Sequence, residues 1–298
     1  MTLIDVIQMF DTDDRCRELL VRLRWPNGVE CLRCKMPAVE LATKKQLFYC
    51  KGCDYQFSVT SGTVFNDSHL ALQKWFLATL LLCEAKKGMS ANQIKRTLGV
   101  SYKTAWYLCH RIRFAMTEVH KMLDGTIEID ETYVGGKGRG TGTGNYRQHK
   151  ETVIGIIKRD GELKFIHVKE STSKAIREVM EQHVSQDVDV IVTDESVLYA
   201  SGLPKTQVSK RKAVNHSAEE YVRYENGFMV TTNTVESAFS LFKRGIVGSW
   251  HRVSPKHLAA YLNEMTFRFN RRKSHTLFLD TLRHMITAPV LTFEQLTT

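Results

Sequence analysis

The sequence predicts a multi-domain chain that combines α+β and α/β parts, and three observations carry that prediction. Two CxxC pairs, Cys31 with Cys34 and Cys50 with Cys53, stand near the N-terminus with a 15-residue spacer between them. Between Ala85 and Thr117 apolar residues recur at helical spacing, and seven Lys or Arg occur with no Asp or Glu. From Thr126 the period changes to alternation, with β-branched runs separated by amphipathic helices. The boundaries that follow are 1–66 for a short helix and the cysteine module, 67–122 for a helical module, and 123–298 for an α/β module with a C-terminal helix.

Composition narrows the function. The chain has 298 residues, a formal net charge of +10 and a pI near 9.2. A basic balance of this size points to a nucleic-acid partner rather than to a merely solubilising surface. The start, "MTLIDVIQMFDTDD", lacks the pattern of a signal peptide, and the longest apolar run, "WFLATLLLC", is too short to span a bilayer. These features predict a cytoplasmic, nucleoid-associated protein with no membrane partner. Seven cysteines do not suit a disulfide framework, and Cys16, Cys83 and Cys109, in apolar helical contexts, read as core residues.

The N-terminal elements follow in order. Residues 12–24 predict a helix with acids in its first turn and arginines at its end, stopped by "WPNG". The two CxxC pairs then supply four thiolates for a tetrahedral ion, and zinc is the usual occupant in a reducing compartment. Four sulfur ligands leave no open position, so this Zn²⁺ is structural. Lys44, Lys45 and Lys51 make the ribbon basic. Residues 68–87 predict a helix with Ser68 as its cap. Within "SANQIKRTLGVSYKTAWYLCHRIR", Ser90 caps one helix, Gly99 makes a turn and Ser101 caps a second. That is the layout of a DNA-binding helix-turn-helix, the alternative being an ordinary helical hairpin with a solvated basic face. Ser101, Tyr102, Lys103 and Thr104 would meet base edges, and Arg111 and Arg113 suit phosphates.

In the third module the expected order is βββαβα. "TIEIDETYV" is a strand, "ETVIGIIKR" and "LKFIHVKE" form a hairpin across Asp160-Gly161, "TSKAIREVMEQHV" is a helix, and "VDVIVTDES" is a strand ending in acids. Residues 233–243 and the Ser254-capped stretch to Arg272 are helical. Asp130, Asp194 and Glu236 come from separate elements, and three such carboxylates can converge on two Mg²⁺ ions at a phosphodiester. Alternation places Glu128 on the face of Asp130 and Glu131 on the other. Periodicity alone does not choose among the three. The loop "GGKGRGTGTGNYRQHK" is glycine-rich, basic and free of acids, which reads as a mobile DNA-contacting loop or as a hairpin tip without function.

The segments "EIDETYVGG", "VIVTDES", "VNHSAEEYV" and "TTNTVESAFSLFKRGIVGSWHRVSPKHLAAYLNEMTFRFNRR", with "RWPNGVECLRC" upstream, resemble one branch of bacterial insertion-sequence DDE transposases, whose eukaryotic relatives are the Merlin elements. The resemblance covers nearly the whole chain. It implies a ribonuclease-H-like catalytic domain with a mixed sheet, and it assigns Asp130, Asp194 and Glu236 as the triad that holds two Mg²⁺ or Mn²⁺ ions. It brings in Lys243, two helical turns beyond Glu236, as a cation for the reacting phosphate. His216 and Asn233 fall in matching segments as auxiliary residues. Two departures stand out: Lys35 follows the second cysteine where relatives favour glycine, and Thr231 replaces a frequent histidine. The implied activity is cleavage at the terminal inverted repeats of a mobile element and joining of the freed 3′-hydroxyl to target DNA. The protein would work as a homodimer or larger assembly on double-stranded DNA. The alternatives are a catalytically dead DNA-binding regulator and a nuclease of the same fold that cuts without joining.

Overall fold

In a computed structural model, residues 1–41, 46–118, 121–135 and 150–298 are described. Most of the glycine-rich loop, with Lys44 and Lys45, lies outside these residues. The chain divides into two units, residues 1–117 with 273–298, and residues 118–272.

The first unit opens with helices α1 (Leu3–Met9) and α2 (Asp13–Arg24), the latter capped by Thr12, whose hydroxyl accepts from the Arg15 amide. A three-stranded antiparallel sheet follows, β1 (Val39–Glu40), β2 (Phe48–Cys50) and β3 (Tyr55–Phe57). Trp25 packs edge-on against Phe48 and Phe57, which gives this small sheet an aromatic core. Helix α3 (Leu72–Glu84) begins later than expected. Ser68 does not cap it; its hydroxyl accepts instead from the Leu70 amide and the Trp75 indole. Helices α4 (Ala91–Leu98) and α5 (Tyr102–Ala115) are capped by Ser90 and Ser101 as expected. Gly99 between them sits at φ 60°, a conformation that glycine adopts without a Cβ penalty.

In the second unit, five strands form one mixed sheet: β4 (Thr126–Val134), β5 (Glu151–Lys158), β6 (Leu163–Val168), β7 (Val190–Asp194) and β8 (Arg211–Val214). Their spatial order is β6-β5-β4-β7-β8, antiparallel among the first three and parallel from β4 to β8. The expected hairpin is present, and Asp160 turns it at φ 56°. Helices α6 (Ser173–His183) and α7 (Val197–Gly202) cover one face, burying Ile127, Ile129, Ile154, Ile156 and Ile191 with Ile176, Met180 and Tyr199. A short hairpin, β9 (Arg223–Glu225) and β10 (Phe228–Val230), leads into α8 (Asn233–Gly245). A π-helical turn, Ile246–Trp250, joins α8 to α9 (Pro255–Asn270). These two helices cover the opposite face, where Val153, Ile157 and Phe165 meet Val235, Phe239, Phe242 and Leu262.

The last helices, α10 (Leu277–Thr287) and α11 (Phe293–Thr297), belong to the first unit, although the sequence assigns them to the α/β module. The apolar stripe of α10 packs on α2 and α3, and buried Phe278 meets Phe76 edge-on.

Candidate functional site

The alternation of β4 sorts its acids by face. Ile127 and Ile129 enter the core beneath α6 and α7, so Glu128 and Asp130 point to the side of α8. Glu131 turns the other way, and its carboxylate accepts from the hydroxyl of buried Tyr199 on α7. Parallel pairing of Thr126 with Val190 and Glu128 with Val192 brings Asp130 level with Asp194 two residues further along both strands. The Asp194 carboxylate accepts from the Ser196 amide at 3.0 Å, which fixes its orientation at the strand end.

Glu236 lies in the first turn of α8. Its carboxylate accepts from the Thr232 hydroxyl at 2.7 Å, and His216 Nε2 stands 3.4 Å from the same oxygen. The His216 ring also packs edge-on against Tyr221. Helix α8 reaches the sheet closely because β5 carries Gly155 opposite Asp130; a Cβ there would stand 2.6 Å from Phe239. Burial pushes the Asp130 carboxyl up to about 7, with Glu131, and then Asp194 and Glu236, adding repulsion. Asp194 and Glu236 thus stand near enough to raise the proton affinity of Asp130, by less than Glu131 does. Lys243 is exposed in the last turn of α8, about 10 Å along the axis from Glu236. Asn233 is exposed at the first position of α8, and its amide is held by the Thr231 hydroxyl. That bond gives Thr231, to which the sequence assigns no role, a place in the turn into α8.

The four cysteines of the first unit gather so that their sulfurs lie within 4.8 Å of one another. Sγ separations of 3.5 Å for Cys31–Cys53 and 3.4 Å for Cys34–Cys50 approach the edge of a tetrahedron, about 3.8 Å for Zn–S bonds of about 2.3 Å. The donor set and its shape therefore fit zinc. Among the described residues this is the only group of metal-ligating side chains so tightly gathered. Lys35 completes its knuckle at φ 63°, the left-handed conformation that makes glycine the favoured residue there.

On α5, Ser101, Tyr102 and Lys103 are exposed, and Ser101, Lys103 and Thr104 border a groove with Tyr107 and Phe293. The Lys103 ammonium lies 4.5 Å from the centre of the Phe293 ring. Arg111 and Arg113 do not suit phosphates, because both are buried, at 3% and 1% exposure. Arg111 donates to the Asn66 carbonyl and stacks on Trp75 and Tyr107; Arg113 donates to the Met89 carbonyl. A charge pattern does not distinguish a solvated arginine from one folded into the interior. Arg111→Ala is expected to lower the stability of the first unit by about 1–3 kcal/mol, because it removes a buried side chain together with its bond to the Asn66 carbonyl and its packing on Trp75 and Tyr107. Thermal unfolding checks this, and the salt slope of DNA binding should not move.

Residues 122–270 match the ISXO2-like transposase domain, and residues 11–56 match the transposase zinc-ribbon domain. Over 281 residues the chain is 33% identical to "Uncharacterized protein in transposable element ISH50" of Halobacterium salinarum, covering 88% of this chain and 92% of that protein. No solved structure matches. A zinc ribbon joined to an acid-bearing α/β domain is the architecture of a transposase. The chain belongs to the ISXO2-like transposase family. The relative is archaeal, so the kinship extends beyond the bacterial branch that the sequence resembles.

Proposed function

We propose that the chain is an active DDE transposase that binds the ends of its mobile element, cleaves a strand there and joins the freed 3′-hydroxyl to target DNA. The observation that carries this reading is that Asp130, Asp194 and Glu236 stand on one side of one sheet, from two strands and a helix, with Asp130 pushed up chiefly by burial and Glu131 and further by Asp194 and Glu236. A carboxylate crowded in this way is relieved by a nearby cation. All three donors are hard oxygens, which suit Mg²⁺ or Mn²⁺. The acids are less tightly gathered than the cysteines, and a pair of ions about 3.5–4 Å apart needs that wider spread. Bound there, the ions would supply Lewis-acid stabilisation of charge on the phosphodiester oxygens.

The chain's own groups divide the remaining work. Thr232 and His216 orient Glu236. Lys243, on the same stripe of α8, offers an ammonium to the DNA backbone. In the first unit, α4 and α5 form the helix-turn-helix reader, with Ser101, Tyr102, Lys103 and Thr104 at the bases. The net charge of +10 supports retention on duplex DNA. Both element ends must be held for joining, so the working form is a homodimer or larger. No helix among the described residues is long and apolar enough to cross a membrane.

A strand-transfer assay with pre-cleaved element ends and Mg²⁺ tests the proposal. Joined product is the expected result. Binding without chemistry would make the chain a regulator, and cleavage without joining would make it a nuclease.

A further inference from the structure

Glu128 is fully buried on β4, two residues before Asp130 and on the same face, yet it is not one of the three acids assigned to the metal-holding set. A buried carboxylate needs partners. Its partners are the amides of Thr234 and Val235 at 2.8 and 3.1 Å, the Thr234 hydroxyl at 2.9 Å and Arg159 Nε at 3.0 Å. The two amides belong to the first turn of α8, where backbone donors have no partner within the helix. A negative charge is also favoured at that end by the helix dipole. Thr232, in the N-cap position, makes no capping bond, and its hydroxyl donates to Glu236 instead. The capping task has therefore moved to the sheet. Arg159 reinforces the junction by donating to the carbonyls of Met229 and Thr231 at 2.6 and 3.1 Å.

We propose that Glu128 is a positioning residue: it caps α8 from the strand that carries Asp130, and so sets the place of Glu236 relative to Asp130 and Asp194. One side chain thereby links two of the three elements of the site and releases Thr232 to orient Glu236. The inference rests on the reading of those three acids as the metal-holding set, and its test reads metal binding separately from joining.

The experiment is a Mn²⁺ titration of the full-length, zinc-loaded protein, followed by the electron paramagnetic resonance of the free ion, for the parent, Glu128→Gln and Thr234→Ala. Amide exchange at Thr234 and Val235 is measured alongside. Partners behind metal ligands typically change affinity by about 10- to 100-fold. Glu128→Gln should weaken Mn²⁺ binding within that range, speed exchange at both amides and leave affinity for end DNA unchanged. Thr234→Ala, which removes one of the four groups that donate to Glu128 and leaves its charge in place, should shift Mn²⁺ binding in the same direction by less. Loss of thermal stability with an unchanged Mn²⁺ titration in both variants would overturn the proposal, leaving Glu128 a structural cap only. Should the parent bind Mn²⁺ but fail to join ends, the transposase reading falls while the titration still decides the role of Glu128. A parent that binds no Mn²⁺ at this site overturns both.

Discussion

Asp130→Asn is expected to abolish joining of pre-cleaved ends while leaving affinity for end DNA unchanged. The substitution keeps the shape of the side chain and removes its charge. It turns one of three carboxylates that would hold the ions into a neutral amide, and with the charge goes several kcal/mol of stabilisation at the phosphodiester. Each 1.36 kcal/mol is about tenfold in rate, so a loss of roughly a thousandfold or more follows. DNA binding should be spared because the groove contacts proposed for this chain belong to the other unit. The informative control is Glu131→Gln. Glu131 faces the opposite side of the sheet and accepts from Tyr199, a bond that the amide oxygen of glutamine can keep, so its replacement should cost about 1 kcal/mol of stability at most and leave joining largely intact. Single-turnover joining, normalised to the DNA-binding fraction, separates the two effects. If Asp130→Asn joins ends at the parental rate and Glu131→Gln does not, the catalytic carboxylate is the neighbouring residue.

Removing zinc should unfold the ribbon and spare the α/β unit. The sheet of β1 to β3 has two- and three-residue strands and a core of little more than Trp25, Phe48 and Phe57. Structural zinc in small modules binds with an apparent free energy of about 10–16 kcal/mol, comparable to the whole stability of a typical domain. Cys34 is exposed, which gives a chelator access to the cluster. Metal analysis should find one zinc per chain. Chelation should release Trp25 from its aromatic neighbours and leave the environment of Trp250, in the second unit, unchanged. Protein purified under reducing conditions with no zinc, or a ribbon that keeps its amide protection after chelation, would contradict this.

Much of this protein is determined locally, and those parts are legible in the sequence. The span of β4 from Thr126 to Val134 follows from alternation, the Asp160-Gly161 turn from its dipeptide, and the α4–α5 junction from Ser90, Gly99 and Ser101. The CxxC spacing implies a four-sulfur cluster because ligand chemistry constrains sequence directly. Strand β8, "RKAV", escapes such a reading because four mixed residues carry no periodic signal, and its place is set by pairing with β7. The fate of residues 273–298 is likewise non-local, since an amphipathic helix states that it needs a partner and not which one. Arg111 and Arg113 read as surface charges until packing encloses them.

The acids show the same division most clearly. Alternation states that Asp130 and Glu131 oppose each other, and it leaves open which face carries the site. Only tertiary packing gives the two faces different neighbours: α8 settles on the face of Glu128, Asp130 and Gly155, where the site is proposed, and Tyr199 meets Glu131 on the other. The physical reason is that a strand's period is a property of its own backbone, whereas the identity of each face depends on which distant helix buries its apolar stripe there.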